Sequence, residues 1–190
     1  MRVTKAPEDR KQEIIDTALR LFNERGYEKT PMSEIAKAMN VAQGLCYRYF
    51  PSKEALFDTV LDQYAQVIVD RIKAKMEEID EHTSLKDYLQ QLPTFLDVED
   101  ENDSLYQICH DTQDTKFHEQ LSMKVCEKLL PVVERQLAVA NEKGIANISD
   151  VSTVASFFVY GQLGLLYRND LSNEKKTKAA ISFFAHVLDK

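Results

Sequence analysis

The stretch from Thr30 to Lys53 constrains the fold more than any other part of the sequence. Its first half places apolar residues at helical spacing, at Met32, Ile35, Ala36 and Met39. We expect a short helix there, with Thr30 as its N-cap and Pro31 at its first position. A second short helix, Gln43 to Phe50, follows a tight turn and is ended by Pro51. Two short helices joined in this way predict a helix-turn-helix.

The second of these helices has one polar and one apolar face. At about 100° per residue, the outward face holds Gln43, Gly44, Tyr47 and Arg48, while Cys46, Tyr49 and Phe50 point inward and Leu45 lies between them. Arginine can bridge two guanine acceptors, glutamine can pair with adenine or a phosphate, and glycine lets a backbone approach DNA closely. At the next helix start, Ser52 is a cap and Lys53 is placed for a phosphate oxygen. This pattern favours a major-groove helix, although other three-helix domains share such spacings.

A wider set of residues, spread over about positions 10 to 58, makes the assignment more specific. The set is Gly26, Tyr27, Thr30, Ile35, Ala36, Val41, Gly44, Tyr47, Tyr49, Phe50 and the run Ser52 to Phe57. It resembles the N-terminal signature of the tetracycline-repressor (TetR) family of transcriptional regulators. The sequence departs from that family at Ala42, where Ser or Thr is usual, and at Cys46, where an aliphatic residue is usual.

The resemblance implies an all-α fold with two domains joined by a long helix. Residues 1–52 are expected to form a three-helix helix-turn-helix DNA-binding domain, and residues 53–190 a helical ligand-binding and dimerisation domain. Members of the family touch DNA at the positions of Thr30, Gln43, Gly44, Tyr47, Tyr49 and Lys53, and Arg48 lies among the variable base-reading positions. The resemblance also implies a homodimer on a palindromic double-stranded operator, released by a small-molecule inducer.

The rest of the chain shows helical patterns and no strand pattern. These patterns cover about Pro7–Arg25, Ser52–Asp80, Ser84–Leu96, Thr115–Lys143, Val151–Tyr167 and Asn173–Leu188. Gly26 and Gly144 are placed to end two of these helices, and Pro131 is expected to kink or divide Thr115–Lys143. Asp97–Asp103 is expected to be an acidic connector, and Leu105–His110 a short apolar segment.

The net charge of −7 is unevenly distributed along the 190 residues. Residues 1–60 carry 10 Lys and Arg against 9 Asp and Glu, whereas residues 61–190 carry 14 against 22. A nearly neutral domain can still bind DNA if its basic groups lie on one face, and Arg2, Lys5, Arg10 and Lys11 add a basic N-terminal arm. We therefore expect the acidic C-terminal part to take no part in DNA binding.

Several other classes of protein are disfavoured. No run of about 18 apolar residues and no secretory segment occurs, so we expect a cytoplasmic protein without a membrane partner. The cysteines Cys46, Cys109 and Cys126 lack paired spacing, which favours reduced, buried thiols. Neither a nucleophile motif nor a phosphate-binding loop is present, and His110 and His118 lack metal-site spacing. We expect no enzyme, cofactor or metal site.

The alternative function is a ligand-independent architectural DNA-binding protein. It is disfavoured because some 130 residues lie beyond the first domain and because the chain is not strongly basic.

The C-terminal part supplies candidates for a ligand site and a dimer interface. An apolar or amphipathic inducer is expected to contact Tyr64, Ile68, Tyr88, Phe95, Tyr106, Phe117, Met123 and Tyr160, with His110 and Gln162 as polar anchors. The last two helices carry more apolar surface than one neighbour would bury, so a four-helix interface between two subunits is expected. Its candidate residues are Phe157, Leu166, Ala180, Phe183, Phe184 and Val187. Ordinary core packing is the alternative for both sets.

Overall fold

A computed structural model describes residues 6–78, 115–168 and 170–188. Within these ranges all regular secondary structure is α-helical, which confirms the predicted fold class. The helices are α1 (Pro7–Arg25), α2 (Met32–Ala38), α3 (Gln43–Tyr49), α4 (Lys53–Glu77), α5 (Thr115–Glu142), α6 (Val151–Leu166) and α7 (Asn173–Leu188). The described residues divide into two compact units, 6–64 with 115–121, and 65–78 with 122–168 and 170–188. The elements predicted at Ser84–Leu96, Asp97–Asp103 and Leu105–His110 lie outside the described residues.

Helix α1 has the bounds that the sequence predicts. Pro7 lies in its first turn, and the helix ends at Gly26, which has a φ of 82° that few other residues adopt without strain. The Gly26 N–H donates to the Phe22 carbonyl at 2.8 Å. One side of α1 is buried in the first unit, through Ile14, Ile15, Ala18, Leu21 and Phe22.

The start of α2 differs from the prediction. The helix begins at Met32 with Pro31 as its N-cap residue and with no side-chain cap, so Thr30 does not cap it. Thr30 is instead completely buried, and its hydroxyl donates to the carbonyls of Leu21, at 3.2 Å, and Gly26, at 2.9 Å. The Gly26 carbonyl lies just beyond the end of α1, where acceptors lack helical partners, and it accepts the hydroxyl that the sequence predicts as the cap of α2.

Helix α4 is the long helix that the sequence predicts. Its 25 residues span about 38 Å at 1.5 Å per residue. Residues 53–64 belong to the first unit and residues 65–77 to the second. Its buried side is formed by Leu56, Phe57, Val60, Leu61, Tyr64, Ala65, Val69, Ile72 and Met76. Ile68, which was predicted on this side, is half-buried at its edge.

The second unit is built mainly from α5, α6 and α7. Helix α5 continues through Pro131, so of the two predicted outcomes, a kink or a division, the division does not occur. Pro131 is exposed, and the carbonyl one turn earlier that lacks an N–H partner can therefore be hydrated. Gly144 follows the helix with a φ of 70°. The buried apolar residues of the three helices include Val125, Cys126, Leu129, Val133, Ala155, Val159, Ala180 and Phe184. None of the described helices is long and apolar enough to cross a membrane.

Candidate nucleic-acid interface

The outer side of α3 is polar and open to solvent. Gln43, Gly44, Tyr47 and Arg48 are exposed, with Tyr47 at 46% of its full accessibility. On the opposite side, Cys46 and Phe50 are buried, while Leu45 and Tyr49 are half-buried. This is the division that the helical spacing predicts. We call the four exposed residues the recognition face.

The turn between α2 and α3 fixes the direction of the recognition face. Asn40 adopts a φ of 54°, a left-handed conformation that asparagine tolerates better than most residues. The Val41 N–H donates to the Ala36 carbonyl at 2.9 Å, and this bond ties the turn to α2. Ala42 then provides the N-cap position of α3 without a side-chain cap, as expected from its departure from the family pattern.

The start of α4 carries a second group of candidate DNA contacts. Ser52 Oγ accepts a hydrogen bond from the Ala55 N–H at 3.1 Å, which confirms Ser52 as a cap. Lys53 is half-buried, and its Nζ lies 3.9 Å from the centroid of the Tyr27 ring. The Tyr27 hydroxyl donates to Glu54 Oε1 at 3.3 Å. The pKa of Glu54 lies below its usual range, chiefly because its own backbone N–H and the Ser52 side chain hydrogen-bond to the carboxylate.

Thr30 and Cys46 are placed inside the first unit rather than on its surface. The buried Thr30 hydroxyl is already used by two carbonyl acceptors, so its side chain supports the domain from within. Burial raises the pKa of Cys46, which keeps the thiol protonated and unreactive. Cys46 therefore behaves as a small apolar residue that seats α3 against the domain.

The candidate ligand residues are placed in several environments. Tyr64, Phe117 and Gln162 are buried, Ile68 and Tyr160 are half-buried, and Met123 is 47% exposed. Gln162 Nε2 donates to the Phe158 carbonyl at 3.0 Å. Burial, followed by the charges of Cys126 and Glu127, raises the pKa of Tyr160. Tyr88, Phe95, Tyr106 and His110 lie outside the described residues.

The candidate dimer residues separate into outer and inner positions. Phe157 and Phe183 are 68% and 57% exposed, whereas Ala180 and Phe184 are buried within the subunit and Leu166 is half-buried. The Phe184 ring packs at 4.3 Å from Phe158 and 5.2 Å from Phe183, measured between centroids. Nothing is described of the Val187 side chain. Of the candidate dimer residues whose side chains are described, Phe157 and Phe183 are the most exposed.

Metal-binding clusters are not found in the part of the chain that the structure describes. His118 is half-buried with its ring 6.2 Å from that of Phe117. Cys109 and His110, which lie near His118 in the sequence, are outside the described residues.

Two residues acquire a role only in the structure. Tyr27 belongs to the sequence signature, but its contact with Lys53 joins positions 26 residues apart, and no local pattern predicts it. Lys176 is buried, and its Nζ donates to the Leu166 carbonyl at 2.8 Å, so α7 caps the end of α6. A lysine within a helix normally indicates an exposed position, and here the Leu166 carbonyl provides an acceptor for the buried ammonium group.

Comparison with known proteins identifies the first domain. Residues 14–60 match the model for the family described as bacterial regulatory proteins, tetR family. An uncharacterised HTH-type transcriptional regulator of Bacillus subtilis, YuxN, is 48% identical over 59 residues, which are 31% of this chain and 20% of that protein. The chain matches only 20% to 46% of the length of the curated relatives considered.

Comparison of whole structures extends the likeness to the complete fold. A TetR-family regulator from Mesorhizobium loti superposes with a TM-score of 0.71 at 23% identity, covering 96% of this chain and 98% of the other. A transcriptional regulator from Saccharomonospora viridis, in complex with choline, gives 0.63 at 17% identity, covering 95% and 98%. The three proteins named above are described as transcriptional regulators, the curated relatives from Haemophilus ducreyi and Glaesserella parasuis are named nucleoid occlusion factor SlmA, and none of these five is named as an enzyme.

Proposed function

Because this chain belongs to the TetR family of transcriptional regulators, we propose that it is a ligand-responsive repressor. It binds a palindromic DNA operator as a homodimer, with α3 of each subunit in successive major grooves. A small, largely apolar or amphipathic molecule binds among the C-terminal helices and releases the DNA. The cytoplasm is its proposed location.

The recognition face carries the DNA-binding proposal. Its four residues are exposed on a helix whose other side is held by buried Cys46 and Phe50, so the helix presents them as a fixed set. Arg48 supplies a base-reading guanidinium, and Gln43 and Tyr47 supply groups for a base edge or a phosphate. Lys53, at the start of α4, adds a cation for the DNA backbone.

The proposed homodimer rests on the apolar outer surface of α6 and α7. Phe157 and Phe183 are more than half exposed in the isolated subunit, and burying such rings against a second copy removes apolar area from water. A two-fold dimer would pair each ring with the same surface of the other subunit. Its two recognition faces would then read half-sites about 34 Å apart, or at a multiple of that spacing.

The proposed ligand response rests on a structural relative with a bound small molecule and on three residues of this chain. The S. viridis regulator shows that a protein of this fold is found with a small molecule, choline, bound. In this chain, Ile68, Tyr160 and Gln162 offer apolar, aromatic and amide groups in one unit. A ligand that prefers the DNA-free form by about 3 kcal/mol would weaken operator binding by roughly a hundredfold.

Selection of bound duplexes from a random DNA pool tests the DNA-binding function directly. We expect a two-fold symmetric site to be recovered with the full-length protein. Failure to enrich any sequence above the starting pool would contradict the proposal.

Variants of the selected complex then test the placement of α3 and α4. Lys53→Ala should weaken binding to every sequence and reduce the salt slope by about one, because one phosphate contact is lost. Tyr47→Phe should also weaken binding to every sequence. Arg48→Ala should instead relax the preference at one base pair. Arg135→Ala, which removes an exposed cation from α5, is the matched control. Unchanged affinity and salt dependence in both Lys53→Ala and Arg48→Ala would show that this surface is not the DNA interface.

The ligand response is tested with a compound found by thermal-shift screening. Titration with and without operator should give different affinities, because linkage requires DNA and ligand to weaken each other by the same factor. Equal affinities would exclude that compound as an inducer. A larger side chain at Tyr160 that leaves the compound's affinity unchanged would place its site elsewhere.

A further inference from the structure

The Lys53 ammonium group lies over the aromatic ring of Tyr27, and we call this contact the seat of Lys53. Its Nζ lies 3.9 Å from the centroid of Tyr27, well within the 6 Å range of a cation–π interaction. A second lysine of the same unit, Lys11, lies 5.9 Å from the centroid of Phe50 and so only reaches the limit of that range. Of these two lysines, Lys53 has the more closely fixed charge.

The ring beneath Lys53 is itself held in place. The Tyr27 centroid lies 4.4 Å from that of Phe57 and 5.5 Å from that of Phe22, and both phenylalanines are buried. Phe57 also packs edge-on to Phe22, at 5.4 Å between centroids. The Tyr27 hydroxyl donates to Glu54, the residue next to Lys53. Tyr27 is therefore anchored at its ring and at its hydroxyl.

Such a seat matters for phosphate binding because lysine is flexible. A free lysine loses rotamer freedom when it fixes on a phosphate, and this loss weakens binding. A cation–π contact restrains the charge, and the N–H donors of the ammonium group that point away from the ring remain available for oxygen acceptors. A seated lysine therefore binds a phosphate with less loss of freedom than an unrestrained one.

We propose that Tyr27 is a positioning residue for DNA binding, which holds the Lys53 ammonium group in place for a phosphate oxygen. This rests on the proposed DNA-binding function of the chain. Tyr27 itself need not touch DNA. Its effect passes through Lys53, and it must therefore disappear when Lys53 is absent.

A double-mutant cycle on the selected operator tests this dependence. Tyr27→Leu should lower affinity about fivefold, or about 1 kcal/mol, with no further loss when it is added to Lys53→Ala. Tyr27→Phe keeps the ring and should remain within about twofold of the unchanged protein. Lys11→Ala provides the control lysine, and the effect of Tyr27→Leu should be the same with and without it. Equal losses from Tyr27→Leu in the presence and absence of Lys53 would reveal a merely structural role and overturn the proposal.

A measurement without DNA tests the seat itself. Ring currents should shift the Lys53 ε-methylene NMR signals upfield in the unchanged protein and in Tyr27→Phe, and Tyr27→Leu should abolish the shift. The absence of an upfield shift in the unchanged protein overturns the proposal, even if Tyr27→Leu does not fold. If Lys53→Ala weakens operator binding while folded Tyr27→Leu does not, the positioning role fails and the DNA-binding function stands. If no operator can be selected, the proposed function fails, and the positioning role fails with it.

Discussion

The protein exposes two surfaces of opposite chemistry, one on α3 and the other on α6 and α7. The recognition face of α3 is polar, whereas the outer side of α6 and α7, which we call the apolar face, presents Phe157 and Phe183. Polar side chains are hydrated at little cost in free energy. Apolar area that stays in water forgoes the stabilisation of roughly 25 cal/mol per Å² that burial would give. The proposed DNA contact of the recognition face can therefore be transient, whereas the proposed contact between subunits at the apolar face favours a lasting association.

Helices α3 and α6 also differ in how their N-termini are capped. Helix α3 begins at Ala42 without a side-chain cap, whereas Asp150 caps α6 by accepting hydrogen bonds from the Thr153 N–H, at 3.0 Å, and its hydroxyl, at 2.6 Å. The helix with the proposed lasting partner thus has a side-chain cap at its start, which the helix with the proposed transient partner lacks. Substitutions in each region can test whether this contrast is functional.

The largest effect is expected for Phe157→Glu. A charge on this ring position, 68% exposed in the subunit, should weaken self-association at least a hundredfold, or about 2.7 kcal/mol, since it would have to be buried at the interface. Sedimentation equilibrium should show a folded monomer, with circular dichroism checking the fold. Asn147→Glu, in the exposed segment between α5 and α6, is the control for added charge. A dimer as tight as that of the unchanged protein would make the apolar face an ordinary exposed patch.

The next effect is expected for Thr30→Val, in the interior of the first unit. Losing the hydroxyl leaves the Leu21 and Gly26 carbonyls without this donor, at a cost of about 1–2 kcal/mol in the free energy of unfolding. Urea denaturation measures this cost. Thr59→Val is the matched control, because its hydroxyl bonds only to Ala55, within a helix, and is half-exposed. A change in the salt slope of DNA binding by Thr30→Val, with unfolding unaffected, would instead indicate a direct DNA contact.

Thr30 also shows where prediction from sequence ends. Local spacing predicts the bounds of α1, the buried and exposed sides of α3, and the Ser52 cap, because these depend on neighbours within a few residues. The Thr30 hydroxyl donates to the Gly26 carbonyl, four residues away, and to the Leu21 carbonyl, nine residues away. Which acceptors it reaches depends on how α1 and α2 pack.

Contacts between distant positions were harder still to predict. The seat of Lys53 on Tyr27 and the bond from Lys176 to Leu166 both join side chains to elements that the fold brings together. The burial of Phe184 beside the exposed Phe183 likewise depends on the position of Phe158 on the neighbouring helix. Helical periodicity marks both phenylalanines as apolar but does not distinguish inner from outer.

A smaller stabilising effect is expected for Ala42→Ser. Ala42 already has the extended backbone conformation of an N-cap residue, with φ −71° and ψ 140°, so a serine hydroxyl can cap α3 without rearrangement. The gain should be about 1 kcal/mol in the free energy of unfolding, measured by urea denaturation. Ala42→Val, which adds bulk but no acceptor, is the control. An equal gain from valine would mean that capping is not the cause.

The contribution of the Asp150 cap of α6 to the stability of the protein should depend on pH. Hydrogen bonds from the Thr153 hydroxyl and N–H lower the pKa of Asp150 from its usual 3.8. The ionised cap therefore contributes its full stabilisation of the folded protein above pH 3.8, and this contribution is lost as the pH falls through the lower pKa of the folded state. Melting temperatures of the unchanged protein and Asp150→Ala should therefore differ at pH 7 and converge toward pH 2. A difference that stays constant over this range would show that the ionised carboxylate is not responsible.

The smallest effect is expected for Gly44→Ala, which should act in opposite directions on folding and on DNA binding. A Cβ at Gly44 meets no atom within 4 Å, so the fold does not require glycine there. Alanine should stabilise the helix by about 0.5 kcal/mol, while its methyl group separates the backbone from DNA and weakens operator binding about threefold. Gly164→Ala, at an equally open helical position in α6, should give a similar gain in stability when both are measured in the monomeric Phe157→Glu background. If Gly44→Ala stabilises the protein and leaves operator affinity intact, the backbone at Gly44 does not approach DNA, and the recognition face is limited to its three longer side chains.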